Sequence, residues 1–587
     1  MSNDNRNFMI FAVIAALLLL VWPAVMNRII PTANPPATRI ENGKSQPQPT
    51  STGPAPASGA AAMTLDQALK TSAGQRVQIV TPTLKGSINL KGGRIDDLVL
   101  TQYKETIDKN SASIRLLSPA GTPNAYFAEF GWQGDGVNAP GPDTVFTASG
   151  GELAPGKPVT LDWTNPSGLH FRIVYAIDEH YMFTISQAVG NGGAQPVKLQ
   201  PYQLISRVGV SKDPQSSGHI GPLGVFNGSA DYGITYENLK GQKSNWFWAL
   251  WNGSGEVGAN YFDSPGGWLG FGDKYWLAAL VPDQSTTSHI GFKAATKLGD
   301  ADKFQADVTG ATKVVPAGKV LTTTTRFFAG AKEVNTVDRY ERDLKITHFG
   351  RAIDWGWFEV IEKPIFYYLD WLFRQIGNFG VAIMLLTLTI RLLIFPIAQR
   401  QFASMAAMRA IQPKMKELQE KYKDDKTRQQ QEVMALYKAE GVNPLAGCLP
   451  TFLQIPIMYS LYKVLMLTIE MRHQAFFGWI HDLSAPDPMY ILNLFGYLSF
   501  TPPGFLAIGV FPVLLGVSMW LQFKMNPQPM DAAQQQVFAF MPWVLMFVMA
   551  PFAVGLQVYW ITSNLLTVLQ QRVLYARHPA LKQPVVK

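Results

Sequence analysis

Residues 366–399 read FYYLDWLFRQIGNFGVAIMLLTLTIRLLIFPIAQ, and the rest of the chain is organised around this stretch. From Phe379 onward it is apolar and long enough to cross a bilayer, and it carries one charge, Arg391. A guanidinium at that depth costs roughly 2.5–3.5 kcal/mol on insertion scales, so it is expected to face water, a partner or a substrate. The plainer alternative is snorkelling: Arg391 lies about two turns from the expected cytoplasmic end, and its stem can lift the charge to the phosphates.

Working outward, the 587-residue chain is lopsided. Long apolar runs crowd its last third, whereas residues 31–350 are rich in Gly and Pro and have none. This describes a membrane protein with a large soluble domain. The formal charge of +8 does not call for nucleic acid, because the basic residues gather beside the apolar runs, where the positive-inside rule accounts for them. A single cysteine, Cys448, leaves no intrachain disulfide, so a soluble domain in an oxidising compartment must be held by its core alone.

Near the start, an apolar run at 8–25 follows a short polar segment containing Arg6, and no small-residue cleavage site follows it closely. It reads as an uncleaved signal-anchor within residues 1–30. Residues 31–64, rich in Pro, Ala, Ser, Thr and Gln, are expected to be a flexible tether. From 65 to 345 the signals are those of strands: 87–91 and 170–173 alternate, 322–328 is β-branched and aromatic, and Gly, Pro and Asn clusters intervene. A β-sandwich follows. His170, His180, His219, His289 and His348 lack metal-ligand spacing, and Gly270-Phe271-Gly272 lacks the third glycine of a dinucleotide fingerprint. Asn227-Gly228-Ser229 and Asn252-Gly253-Ser254 match the glycosylation pattern but read as turn chemistry.

Residues 335–344 are expected to be helical, and 355–368 mixes aromatic and charged residues as an interfacial helix does, within a segment taken as 346–366. The region 367–587 then holds a five-helix core. After the Arg391 helix, 400–441 reads as a helical hairpin broken at 424–427, with the Asp424-Asp425 pair suited to cap its second helix. Further spans are expected at 444–468, 505–523, 537–554 and 556–574, which with 8–25 makes six transmembrane helices. The apolar run 489–500 is too short to cross and is placed at the outer interface. Nine Lys and Arg lie between Arg400 and Lys438, against only Arg472 between 471 and 503, so the hairpin is expected in the cytoplasm. Both termini then face the cytoplasm, the β-domain lies outside, and the basic tail with Arg572, Arg577, Lys582 and Lys587 stays inside.

At the depth of Arg391 the spans offer further polar groups: Thr387 one turn earlier, Gln454 in the next span, and Ser563 and Asn564 in the last. No Asp or Glu occurs at that depth, so Arg391 has no built-in counter-ion. An unpaired cation beside such groups is suited to meeting acidic or polar groups from outside, which favours a functional role over snorkelling.

These residues carry a resemblance. The stretch TIRLLIFPIAQRQFASMAAMRAIQPKMKELQEKYKDDKTRQQQEVMALYKAEGVNPLAGCLPTFLQIPIMYSLY, with SNLLTVLQQRVL near the end, resembles the corresponding spans and hairpin of the YidC insertases. The order of anchor, tether, large outer β-domain and five-span core is similar to the Gram-negative branch of that family. The resemblance implies a bacterial inner-membrane protein that inserts and folds membrane proteins, alone or with the Sec translocon. It also implies a groove open to the cytoplasm and lipid, formed around Arg391 with Thr387, Gln454, Tyr559, Ser563 and Asn564. It implies nascent membrane proteins as partners, contact with the ribosome and signal recognition particle pathway through hairpin 400–441 and the tail, and no catalytic residue, metal or cofactor. One departure is Lys463 in the outer part of the third span, where the family commonly looks aromatic or apolar; it is expected to snorkel outward, the alternative being a second cation on the path. Two rival classes fit less well: a small-solute transporter should show internal repeats or paired broken helices, and the spans show neither, while a membrane-anchored envelope protein that binds or modifies carbohydrate would act through its β-domain.

Overall fold

The computed structural model describes residues 38–41, 44–47, 63–211, 218–241, 258–298, 301–422, 425–440, 449–503, 506–525 and 532–577. The expected anchor at 8–25, most of the tether, Asn252-Gly253-Ser254, Cys448 and the tail beyond Arg577 lie outside the described residues. The chain divides into two compact units, one of Pro49–Asp354 with Leu467–Glu470, the other of Met1–Gln48, Trp355–Met466 and Met471–Lys587.

The first unit opens with a short helix, α1 (Leu65–Thr71), started by a capping box in which Thr64 and Gln67 satisfy each other's backbone N–H groups. Strands follow, because side chains alternate between faces: Leu169–Ile177 buries every second residue, as do its neighbours. One sheet has nine strands and the other eleven, antiparallel apart from the pairing of Arg76–Val80 with Glu152–Leu153. Their inner faces meet in an aromatic core, where Phe130 of the larger sheet packs edge-on against Tyr175 and Phe327 of the smaller. Gln187 Nε2 crosses between the sheets to the Gly131 carbonyl at 2.8 Å. This is a sandwich. Asn227 and Gly228 both take positive φ in the hairpin joining Gly221–Phe226 to Ser229–Asp231, so the first glycosylation-like triplet is a turn.

The unit runs further than its strands. Helix α2 (Val334–Leu344) is followed by a turn of 3-10 helix, Phe349–Ala352, whose buried Phe349 ring packs 5.3 Å from both Trp268 and Phe328. Residues 346–354 therefore belong with the sandwich and not with an interfacial helix, because Phe349 finds its burial there. The helix expected at 355–368 is α3 (Glu359–Ile376). It continues to Ile376 because nothing breaks it before Gly377, which takes the left-handed conformation and donates to the Phe373 carbonyl at 2.7 Å.

In the second unit Asn378 caps the next helix, α4 (Phe379–Lys421), by accepting from the Val381 N–H at 3.1 Å. Its 43 residues run without interruption from the apolar stretch into the polar one. The first arm of the hairpin is therefore not a separate helix beginning at 400: the helix runs on through both Pro396 and Pro413. The second arm is α5 (Lys426–Ala439), capped by Asp425, which accepts from the Arg428 N–H at 3.0 Å. Ile411 and Met415 pack against Val433, Leu436 and Tyr437 to close the hairpin. Among the described residues four α-helices follow: α6 (Leu449–Leu467), α7 (Val510–Met525), α8 (Ala532–Met549) and α9 (Val554–Arg577). Among the described residues, Phe379–Gln399 is the one helical segment that is long and apolar enough to cross a membrane, and Val510–Met525 and Ala539–Met549 are shorter apolar helices.

Candidate functional site

Helices α4 and α9 bring the predicted residues together. Arg391 is half-buried, and its Nε donates to Ser563 Oγ at 3.2 Å while a terminal guanidinium nitrogen reaches the same oxygen. One turn earlier on α9, at the i, i+4 spacing that stacks side chains on one face, Tyr559 is fully buried and lies within electrostatic reach of the guanidinium. Its hydroxyl accepts from Gln454 Nε2 of α6 at 2.5 Å. Arg391, Ser563, Tyr559 and Gln454 thus form one polar set contributed by three helices. Among the described residues no carboxylate is paired with Arg391, so its charge is met only by a hydroxyl.

Two predicted residues are placed differently. Thr387 is buried and its hydroxyl donates to the Ile383 carbonyl of its own helix at 2.6 Å, which satisfies it locally. Asn564 turns to α7, donating from Nδ2 to Ser518 Oγ at 2.9 Å, and Ser518 donates on to the Leu515 carbonyl. It ties two helices together and does not share the Arg391 set. The reason is angular: neighbouring residues on a helix point about 100° apart, so Ser563 and Asn564 cannot both face α4. Sequence reading missed Ser518 and also Gln557, which is fully buried and donates to the Met549 and Phe552 carbonyls at the α8–α9 corner. Both were legible only as polar residues inside apolar runs. Lys463 is buried, its ammonium 3.6 Å from where a side chain on Gly356 would begin, so its head ends against protein and not in open water.

In the sandwich unit, His170 pairs with Asp162 at 3.1 Å and His289 with Asp263 at 2.9 Å, both on exposed strand surfaces. Among the described residues no group of three or more His, Cys, Asp or Glu is arranged to hold a metal ion.

A helical unit with one helix long and apolar enough to cross a membrane among the described residues, in one chain with a β-sandwich unit, fits a membrane protein with a folded extramembrane domain. The comparisons give its kind. Residues 371–581 match the family described as 60Kd inner membrane protein, and residues 76–368 match the YidC periplasmic domain. A membrane protein insertase YidC of Zymomonas mobilis is 46% identical over 98% of this chain and 96% of its own, and one of Methylorubrum extorquens is 44% identical over 98% and 96%. A solved YidC insertase is similar over 95% of this chain and 98% of its own at 16% identity, with a TM-score of 0.35. The chain belongs to the YidC family of membrane protein insertases. It is an inner-membrane insertase with a periplasmic β-rich domain, it acts on nascent membrane proteins within the bilayer, and it is not an enzyme.

Proposed function

We propose that insertion runs through a polar groove centred on Arg391, with Ser563, Tyr559 and Gln454 as its wall and Thr387 and Asn564 holding the helices that form it. The observation that carries this reading is the pairing of Arg391 with a hydroxyl and, among the described residues, with no carboxylate. A cation so placed can accept an acidic or polar segment of a substrate without first breaking an ion pair. A wet groove shortens the apolar distance that the segment must cross, while the substrate's apolar helix slides on lipid-facing side chains. The membrane potential, worth about 2.3 kcal/mol per charge per 100 mV, draws acidic tails outward. In this reading the chain has six spans around a five-helix core, both termini in the cytoplasm and residues 31–365 in the periplasm. Hairpin 400–441 and the basic tail meet the ribosome and the signal recognition particle pathway, and the core works alone or beside the Sec translocon.

The test is protease protection of substrate tails of graded charge in cells depleted of the native protein, with variant levels checked. Arg391→Ala should lose insertion most for acidic tails and least for uncharged ones, about tenfold for a lost charge-assisted contact, and Arg391→Lys should retain most of it. Equal insertion by the wild type and Arg391→Ala across all tails would leave snorkelling as the account of this residue.

A further inference from the structure

The loop between α6 and α7 carries a feature that neither the groove nor the family match uses. From Pro488 to Phe523 the chain has no charged side chain, yet α7 begins only at Val510, so the uncharged run extends well beyond the helix. Within that extension Leu492, Leu494, Phe495, Tyr497, Leu498 and Phe500 are all exposed, Tyr497 at 68% and Leu494 at 56%. Soluble surfaces rarely show so many large apolar side chains in one short segment. The backbone is bent to display them. Leu494 and Phe495 take φ of 51° and 60°, a left-handed conformation that bulky residues adopt only when something compensates for the strain.

The loop nevertheless leaves little of its backbone bare. Ile491 N–H donates to the Ile508 carbonyl, Phe495 to Tyr490, and Gly496 and Leu498 to Asn493. The buried Asn493 side chain accepts a second bond from the Gly496 N–H, and the Asp487 carboxylate accepts from the N–H groups of Met489 and Phe511, tying the loop to the start of α7. Internal satisfaction of this kind is what a non-helical segment needs where water is scarce. One flank is covered by this chain itself, since strand Thr38–Glu41 lays the Ile40 carbonyl against Gly496, where any Cβ would collide with it.

We infer that the Leu494–Phe495 turn is a wedge that enters the headgroup and upper acyl region of the bilayer beside the α7 end. The occupant is lipid because the exposed side chains are continuous with the apolar helix α7, carry no charge and sit on a self-bonded backbone. The wedge anchors that end of the core at a fixed depth, and burial in lipid offsets the strain of its turn. The inference rests on the proposed reading in placing α7 in the membrane and this loop on the outer face.

The test uses the full chain with Cys448→Ser, a single cysteine at 494, 497 or 44, and a bimane label, in vesicles of phosphatidylethanolamine and phosphatidylglycerol. Labels at 494 and 497 should be quenched at least about twofold more strongly than the label at 44 by lipid bearing a nitroxide high on its acyl chain, and less by aqueous iodide. The pair Leu494→Asn and Phe495→Gly suits the left-handed turn better, so it should keep or raise Tm while the lipid quenching at 497 falls. Iodide quenching at 494 equal to that at 44 overturns the inference, as does protection from both quenchers, which would mean that protein covers the turn. Labelling with a membrane-impermeant maleimide in cells and in inverted membrane vesicles reports the side separately: labelling in the inverted vesicles alone would overturn the orientation and leave the wedge standing.

Discussion

The two units treat a buried cation in opposite ways. In the sandwich, Arg207 is fully buried and meets Asp273 at 2.8 Å with the Tyr126 ring 4.8 Å from its guanidinium carbon, and buried Arg76 pairs with Asp96. In the helical unit Arg391 has Ser563 and, among the described residues, no acid. A charge that the fold has already neutralised is part of the fold, whereas one left without a counter-ion is held for something that arrives. Position alone does not separate these cases, because each of these guanidinium groups is at least partly withdrawn from solvent. The partner does.

Asp273→Ala should break the comparison most forcefully. It strands the Arg207 guanidinium, two of whose nitrogens already lack a hydrogen-bond partner, and should destabilise the sandwich by about 3–5 kcal/mol. Urea unfolding of the full chain in detergent, with hydrogen exchange followed across Val197–Val208, reads this out. A loss below about 1 kcal/mol would show that water or rearrangement supplies a partner.

Arg391→Met should act with the opposite sign. Removing a cation that costs roughly 2.5–3.5 kcal/mol to hold should leave the helical unit as stable as before, or more so by up to about 2 kcal/mol, while insertion of acidic tails is lost. Thermal unfolding in detergent beside the insertion assay checks both halves. Marked destabilisation would move Arg391 into the same class as Arg207.

A smaller effect sharpens the difference between adjacent residues of α9. Asn564→Ala removes the tie to Ser518 and should cost about 1 kcal/mol of stability with little dependence on substrate charge. Ser563→Ala should instead alter insertion selectively for acidic tails. If the two variants behave alike, the separation of roles seen in the geometry does not carry into function.

The smallest effect is a pH dependence in the sandwich. Burial pushes the Asp96 carboxyl up to about 6 from 3.8, with the Arg76 guanidinium pulling the other way. A carboxyl raised in the folded state favours folding when protonated, so its contribution is fully present below pH 3.8 and is lost as pH rises through about 6. Asp96→Asn should flatten that part of the stability profile, and an unchanged slope in urea titrations across this window would assign it to another group.

Much of this was legible in the residues. The apolar run around Arg391, the alternation at 170–173 and 322–328, and the Asp425 cap each express a local rule, and helix, strand and cap stand where those rules put them. The limits of elements were less legible. Residues 346–354 join the sandwich because Phe349 finds an aromatic pocket there, and α4 passes position 400 even though Pro396 and Pro413 lie within it. Pocket and packing belong to no local window.

The sequence by itself determined that this chain enters a membrane, that it carries a soluble β-rich domain, and that one arginine lies in an apolar helix without an acid at its depth. It did so because hydrophobic length, period and charge are properties of consecutive residues. Only the tertiary structure decided that Ser563 and not its neighbour Asn564 meets Arg391, that Gln454 reaches Tyr559, and that Asn564 belongs to Ser518. Those choices depend on which face of one helix is turned to which neighbour, a rotation of about 100° per residue that packing fixes and composition cannot.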